Sequence, residues 1–163
     1  MNTSIFTRTN GIFTMSCRVK IEIGASAQIV WRLLTNAAAF PDWNSTVTRI
    51  EGEITSGQRL RVHVPGSRMV MTPTVSDVEP MRRMVWSDGA PGVFRGVRVF
   101  TLSPNGPNTT AFAMEERFSG LVFGLVRAAL PDFREIFETY ASDLKRHAEQ
   151  VAHASPSAHA PPI

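Results

Sequence analysis

The chain is poor in cysteine, in charge and in long apolar runs. One cysteine, Cys17, excludes an internal disulfide framework and fits a reducing cytoplasm. No apolar run approaches the roughly 20 residues that a membrane-spanning helix needs, so no stable membrane insertion is expected. The N-terminal stretch shows no continuous apolar core ahead of a small-residue cleavage site, so no secretory leader is read, and the acceptor-type triplets at Asn2, Asn44 and Asn108 are expected to be chance matches. Charged residues make up 19% of the chain and leave a net +3 at a pI near 9.7. The arginines (Arg49, Arg59, Arg61, Arg82, Arg83, Arg95 and Arg98 among them) are spread along the chain instead of forming a basic stripe with interleaved aromatics, which argues against nucleic acid. There is no glycine-rich phosphate loop and no Ser/His/Asp arrangement. The histidines lack ligand spacing with a cysteine or carboxylate, so neither a metal nor a cofactor is expected.

What is there is an ordinary globular content: 43% hydrophobic residues in a length that suits one domain burying about two thirds of its unfolded surface. Residues 1–16 show neither period and read as a flexible extension, and 151–163, rich in Ala, Pro, Ser and His from Ala152 on, read as a disordered tail, around a domain at 17–150 with Met15 a second candidate start. Within it, "CRVKIEIG" alternates as a strand, Ser26 caps a short helix carrying Ile29, Val30, Leu33 and Leu34, and "NAAAFPDW" forms a second helical turn stopped at Pro41. Strand-like runs follow near 45–54, 58–64, 68–78, 82–88, 93–103 and 109–118. Val126, Leu130, Phe133, Phe137, Tyr140, Leu144, His147 and Val151 then recur at alternating steps of 4 and 3, a long helical stripe that Pro131 should kink or divide. One strand, two short helices, about six antiparallel strands and an amphipathic helix make an α+β chain whose last helix must bury its stripe on the sheet.

The hairpin "FRGVRVFTLSPNGPNTTAFAMEERFSG" sets a chemical question. Phe94, Arg98 and Phe100 share one face of the first strand, and Phe112, Met114, Glu116 and Phe118 share one face of the second. A turn centred near Gly106 puts Arg98 opposite Met114 and diagonal to Glu116, close enough for a salt bridge on an apolar face. Three outcomes stay open: an ion pair closing the sheet rim, a pair of polar contacts inside a ligand cavity, or a wrong register with both groups in solvent.

The element order and its punctuating residues resemble the START/Bet v 1-like (SRPBCC) superfamily, in particular its polyketide cyclase/dehydrase-like branch. The matching pieces are "GASAQIVWRLLT", "FPDWN", "VEPMRRMVW" and "GVRVFTLSP…MEERFSGLV" before a helix ending "LKRHAE", together about residues 17 to 150. The resemblance implies a helix-grip fold, a curved antiparallel sheet wrapped around the long C-terminal helix with two short helices after the first strand. It also implies a cavity for a small apolar molecule between sheet and helix, in a monomer or a homodimer. Relatives often carry a histidine in a G-x-H-x-F strand. Here Arg98 stands in that place, and an arginine stays protonated and cannot act as a general base.

On such a fold the candidate ligand-binding residues are Trp43, Met69, Met71, Met84, Trp86, Phe94, Arg98, Phe100, Phe112, Met114, Glu116, Phe118, Leu130, Phe133 and Phe137, a soft lining that serves equally as plain core. Arg98 and Glu116 are the only catalytic candidates. His63 is expected to face solvent, "WSDGAPG" (86–92) to be a connection or a cover over the cavity mouth, and Ser119 to cap a helix. The leading reading is binding of a small hydrophobic ligand. The alternatives are a cyclase or dehydratase in the same cavity and an accessory protein docking a partner or membrane.

Overall fold

The computed structural model describes residues 4–126 and 130–154. Two strands open the chain, β1 (Ile5–Asn10) and β2 (Thr14–Ile23), followed by α1 (Ala27–Thr35), a short 3-10 turn (Ala37–Ala39) and α2 (Phe40–Trp43). Six strands follow: β3 (Arg49–Glu51), β4 (Arg61–His63), β5 (Thr74–Glu79), β6 (Arg83–Ala90), β7 (Phe94–Pro104) and β8 (Thr110–Ser119). The chain then forms α3 (Leu121–Val126) and α4 (Phe133–Ala154). The main sheet has the order β1-β2-β8-β7-β6-β5, every neighbour antiparallel. β3 and β4 form a separate ribbon, which leans on the run before β5 through Val62 and Met71, each amide donating to the other's carbonyl.

Period-two alternation decides which side chains enter the core. In β2, Met15, Cys17, Val19, Ile21 and Ile23 are buried while Arg18, Lys20 and Glu22 point out. β8 does the same with Thr110, Phe112, Met114, Glu116 and Phe118. Helix α4 lies across this face with Phe133, Phe137, Tyr140 and Leu144 buried, and each such burial contributes about 1.5–3 kcal/mol. This is the helix-grip architecture implied above.

Several expectations change in detail. The stretch 1–16 is not an unstructured extension: β1 pairs along β2 and β2 starts at Thr14. Only Phe6 of β1 packs inward, edge-on to Phe137 with centroids 6.2 Å apart, so backbone pairing holds this strand without a hydrophobic period. Pro41 does not stop a helix but sits in the first turn of α2, where a missing amide hydrogen leaves no bond unmade. The stripe is divided, not kinked. Val126 ends α3, Leu130 and Pro131 lie in the connection, and α4 starts at Phe133 after Asp132, whose Oδ1 accepts from the Arg134 amide at 3.0 Å. Ser119 ends β8 and caps no helix. At the other end α4 runs to Ala154, past the expected boundary at 150; residues 155–163, with His159, lie outside the described residues.

Candidate functional site

The centre of the concave face is a row of side chains running across the sheet. Cys17 of β2 stands beside Glu116 of β8, Glu116 opposite Arg98 of β7, and Arg98 opposite Trp86 of β6. The register therefore differs by two from the one expected: Phe100 faces Met114, Gly96 faces Phe118 and Leu102 faces Phe112. The connecting loop holds five residues, Asn105–Thr109, with the Asn105 amide donating to the Thr109 carbonyl at 2.8 Å, so its centre is Pro107 and not Gly106. A shift of two keeps every side chain on its face, so the alternation argument survives the misplaced turn.

Direct opposition makes the salt bridge tight. Arg98 Nε and Nη2 both donate to Glu116 Oε2, at 3.1 and 2.5 Å, and the guanidinium lies over the Phe137 ring, 5.6 Å from its centroid. The two side chains keep 16% and 12% exposure, so the pair is largely but not wholly withdrawn from solvent. Burial alone would push the Arg98 pKa down, but the Glu116 charge and hydrogen bond outweigh it and the net shift is upward. The guanidinium is a permanent cation here.

Around the pair is an aromatic box. Trp86 and Phe100 are 5.1 Å apart, Phe100 and Tyr140 6.2 Å, Phe112 and Tyr140 6.3 Å in a stack, and Trp43 meets Tyr140 edge-on at 5.6 Å. Three polar atoms in this box, Trp43 Nε1, Trp86 Nε1 and the Tyr140 hydroxyl, are buried with no hydrogen-bond partner among the described residues. Burial pushes the Tyr140 phenol well above its ordinary range against the opposing charge of Arg98, which keeps it a neutral donor. Burial likewise raises the Cys17 thiol, which leaves little thiolate for reaction.

Of the candidate residues, Trp43, Met84, Trp86, Phe100, Phe112, Met114, Phe118, Phe133 and Phe137 are buried in this interior with Glu116, while Phe94, Leu130 and Met71 are half-buried against it. Met69 is not part of it. At 75% exposure it stands outside on the irregular run before β5, which the strand-like pattern did not reveal. Tyr140 was missed as a polar group because it shares a stripe with Phe137 and Leu144; its signal was that it is the one tyrosine in the chain. His63 is half-buried, its Nε2 3.1 Å from Glu51 in a rim cluster with Arg49 and Arg61. The stretch 86–92 is neither a loop nor a cover: Trp86–Ala90 belong to β6, paired along β7, and only the three-residue turn 91–93 connects it to Phe94. Among the described residues no three His, Cys, Asp or Glu side chains gather as metal ligands, and no helix is long and apolar enough to cross a membrane.

A broad open groove lies elsewhere, along α4 where it meets β2, lined by Ile21, Ser142, Lys145, Arg146, Glu149 and His153 among others. Its groups are committed to one another. Lys145 bonds Glu149 and the Glu22 carbonyl, Glu149 accepts from the Gly24 amide, and Arg146 pairs with Asp143. Asp143 in turn accepts from the Ser45 amide and hydroxyl, which pins the loop after α2 to α4.

The family described as polyketide cyclase / dehydrase and lipid transport matches residues 14–149 of this chain. Among solved structures, a conserved protein of unknown function from Enterococcus faecalis superposes with a TM-score of 0.67 at 20% identity, covering 95% of this chain and 82% of its own. A START superfamily protein from Mycobacterium smegmatis gives 0.62 at 19% identity over 83% and 98% of the two chains. BexL, a di-domain ARO/CYC protein of a biosynthetic pathway, gives 0.64 at 19% identity over 90% of this chain and 52% of its own, about half its length. No curated protein matches the sequence. Similarity at this level of identity carries the fold.

Proposed function

Because the chain belongs to the polyketide cyclase/dehydrase and lipid transport family, whose fold binds ligands, we propose that it holds a small, largely apolar molecule between the sheet and α4, in a reducing cytoplasm. The molecule presents an oxygen acceptor to the buried donors beside Arg98. The observation that carries this reading is the set of orphaned donors. A buried polar group without a partner costs about 1–3 kcal/mol, and here the Tyr140 hydroxyl and Trp86 Nε1 sit in one aromatic box next to a fixed cation. A carbonyl, enol or carboxylate oxygen would satisfy them, and the rings of Phe100, Phe112 and Phe137 would cover the apolar remainder. Phe100 and Phe112 both pack against the Tyr140 ring, and Phe137 against Phe133, so binding requires these rings to part. Met84 and Met114, the flexible members of the wall, are suited to that adjustment.

The dye anilinonaphthalene sulfonate tests this, since it joins an apolar body to an anion. Titration should show saturable binding, and Tyr140→Phe should weaken it by about tenfold, the loss of one hydrogen bond to a charged group. Removing an unpaired hydroxyl should leave folding stability unchanged or raised. Equal affinity in Tyr140→Phe would overturn the polar contact, and native mass spectrometry of the purified protein reads any co-purified ligand directly by mass.

Catalysis of a cyclisation or dehydration is the second reading, with Arg98 polarising a carbonyl and Glu116 as acid or base. The observation bearing on it is that both contacts of Arg98 go to Glu116 Oε2, so each group is already engaged by the other. Substrate would have to open the pair before either could act, which places binding ahead of chemistry.

A further inference from the structure

Six of the large apolar side chains exposed among the described residues gather at one end of the molecule. They are Ile12 and Phe13 in the β1–β2 turn, Val93 in the β6–β7 turn, and Leu121, Val122 and Leu125 on α3. Ile12 is 80% and Leu125 84% exposed, values that isolated surface leucines and isoleucines have no packing reason to reach together. The three segments are tied by their backbones. The Phe13 carbonyl accepts from the Gly120 amide at 3.1 Å, Gly92 from Leu121 at 3.1 Å and Val93 from Val122 at 3.0 Å. Gly120 has a φ of +122°, and a Cβ there would lie 2.3 Å from the Val93 carbonyl, so only glycine permits this approach. Gly124 of α3 lies against the Phe13 ring. The apolar end is thus held open by a fixed scaffold.

Two basic side chains without an ion pair among the described residues lie beside it. Arg95 and Arg117 are diagonal neighbours on the convex face just behind the tip, where Arg95 pairs with Ser119 and Val97 with Arg117, and neither forms an ion pair among the described residues. The acidic groups on the adjoining strands are committed: Glu115 to Arg18 and Ser16, Asp88 to the amides of Thr72 and Gly89, and Glu116 to Arg98.

We propose that this end docks on an anionic lipid bilayer. The six apolar side chains enter the boundary between headgroups and acyl chains, and Arg95 and Arg117 meet lipid phosphates. A second copy is the weaker occupant, because an isologous contact through this end would bring two pairs of unpaired arginines together. The surface lies outside the aromatic box, so docking does not depend on the ligand reading and its test fails or succeeds separately.

The test is co-sedimentation of the full chain with vesicles of phosphatidylcholine alone and of phosphatidylcholine with phosphatidylglycerol. The wild type should bind the mixed vesicles, release on added salt and bind the neutral ones weakly. Leu125→Asp and Ile12→Asp should each weaken binding by at least about tenfold, since each removes one apolar anchor and adds a charge that the anionic surface repels. Arg117→Ala should weaken it about fivefold on mixed vesicles and leave the neutral ones unchanged. Circular dichroism and the dye titration confirm that the variants are folded and that the interior is intact. Failure of the wild type to sediment with mixed vesicles, or Leu125→Asp binding as tightly as wild type, would overturn the proposal. So would a concentration-dependent dimer that Leu125→Asp dissociates, which would assign the surface to a second copy.

Discussion

The two ends of the grip use the same kinds of side chain for opposite purposes. At the closed end, Ile21, Phe112 and Leu102 sit side by side across three strands and are fully or almost fully buried, and the Thr110 hydroxyl donates to the Ala25 carbonyl at 2.8 Å to close the last polar gap. At the open end, two rows further along the same strands, a slightly exposed ion pair replaces the apolar contacts, and beyond it apolar side chains face outward. Stability is concentrated where burial is complete. Recognition chemistry is concentrated around the ion pair, where the buried donors of Trp43, Trp86 and Tyr140 have no partner among the described residues, because only a group whose bonding capacity is unused has something to offer a ligand.

That contrast can be broken by substitution, beginning with the largest effect. Phe112→Ala at the closed end should cost about 3–5 kcal/mol through lost burial and a residual cavity, read as a lower denaturation midpoint at unchanged slope. At the ion pair, Arg98→Met or Glu116→Gln should each cost about 2–3 kcal/mol, below the full cost of a buried orphan charge because solvent reaches the pair. A double-mutant cycle should return a coupling above about 1 kcal/mol; additive, near-zero effects would make it a solvated rim pair. Leu125→Asp at the tip should change stability by no more than about 0.5 kcal/mol, so that any loss of vesicle binding reports docking and not unfolding.

A further small effect belongs to the groove along α4. Burial would raise the Glu149 carboxyl, but its hydrogen bonds from Lys145 and from the Gly24 amide, together with the charge of Lys145, bring it below its ordinary value of 4.5. A depressed native pKa contributes stability above that ordinary value, and the contribution is lost as pH falls through the native one. Glu149→Gln should therefore cost under about 1 kcal/mol at neutral pH and flatten the acid limb of a stability–pH profile below about 4.5. An unchanged acid limb would mean the carboxyl is not the group responsible.

The faces of the strands were readable because a side-chain period of two survives any error in turn position. Arg98 and Glu116 could be placed on one apolar face, yet their direct opposition could not, since it depends on the length of the 105–109 loop. The β1 strand left no trace because only Phe6 of its residues packs inward. Met69 looked like lining because a methionine in an apolar run reads alike inside and out. Tyr140 was legible as a stripe position and illegible as a donor, because whether its hydroxyl finds a partner depends on Trp43, Phe100 and Phe112 arriving from three other elements.

By itself the sequence determined the element types and their order from β2 onward and the inward faces of the long strands, all consequences of local geometry in which period and turn chemistry act within a few residues. Only the tertiary structure decided the rest: that Arg98 meets Glu116 head-on, that three buried donors of the aromatic box are left without partners among the described residues, and that two turns and α3 bring six apolar side chains to one end. Each of these joins residues from distant parts of the chain, and no pattern within one segment carries information about which groups of another will face it.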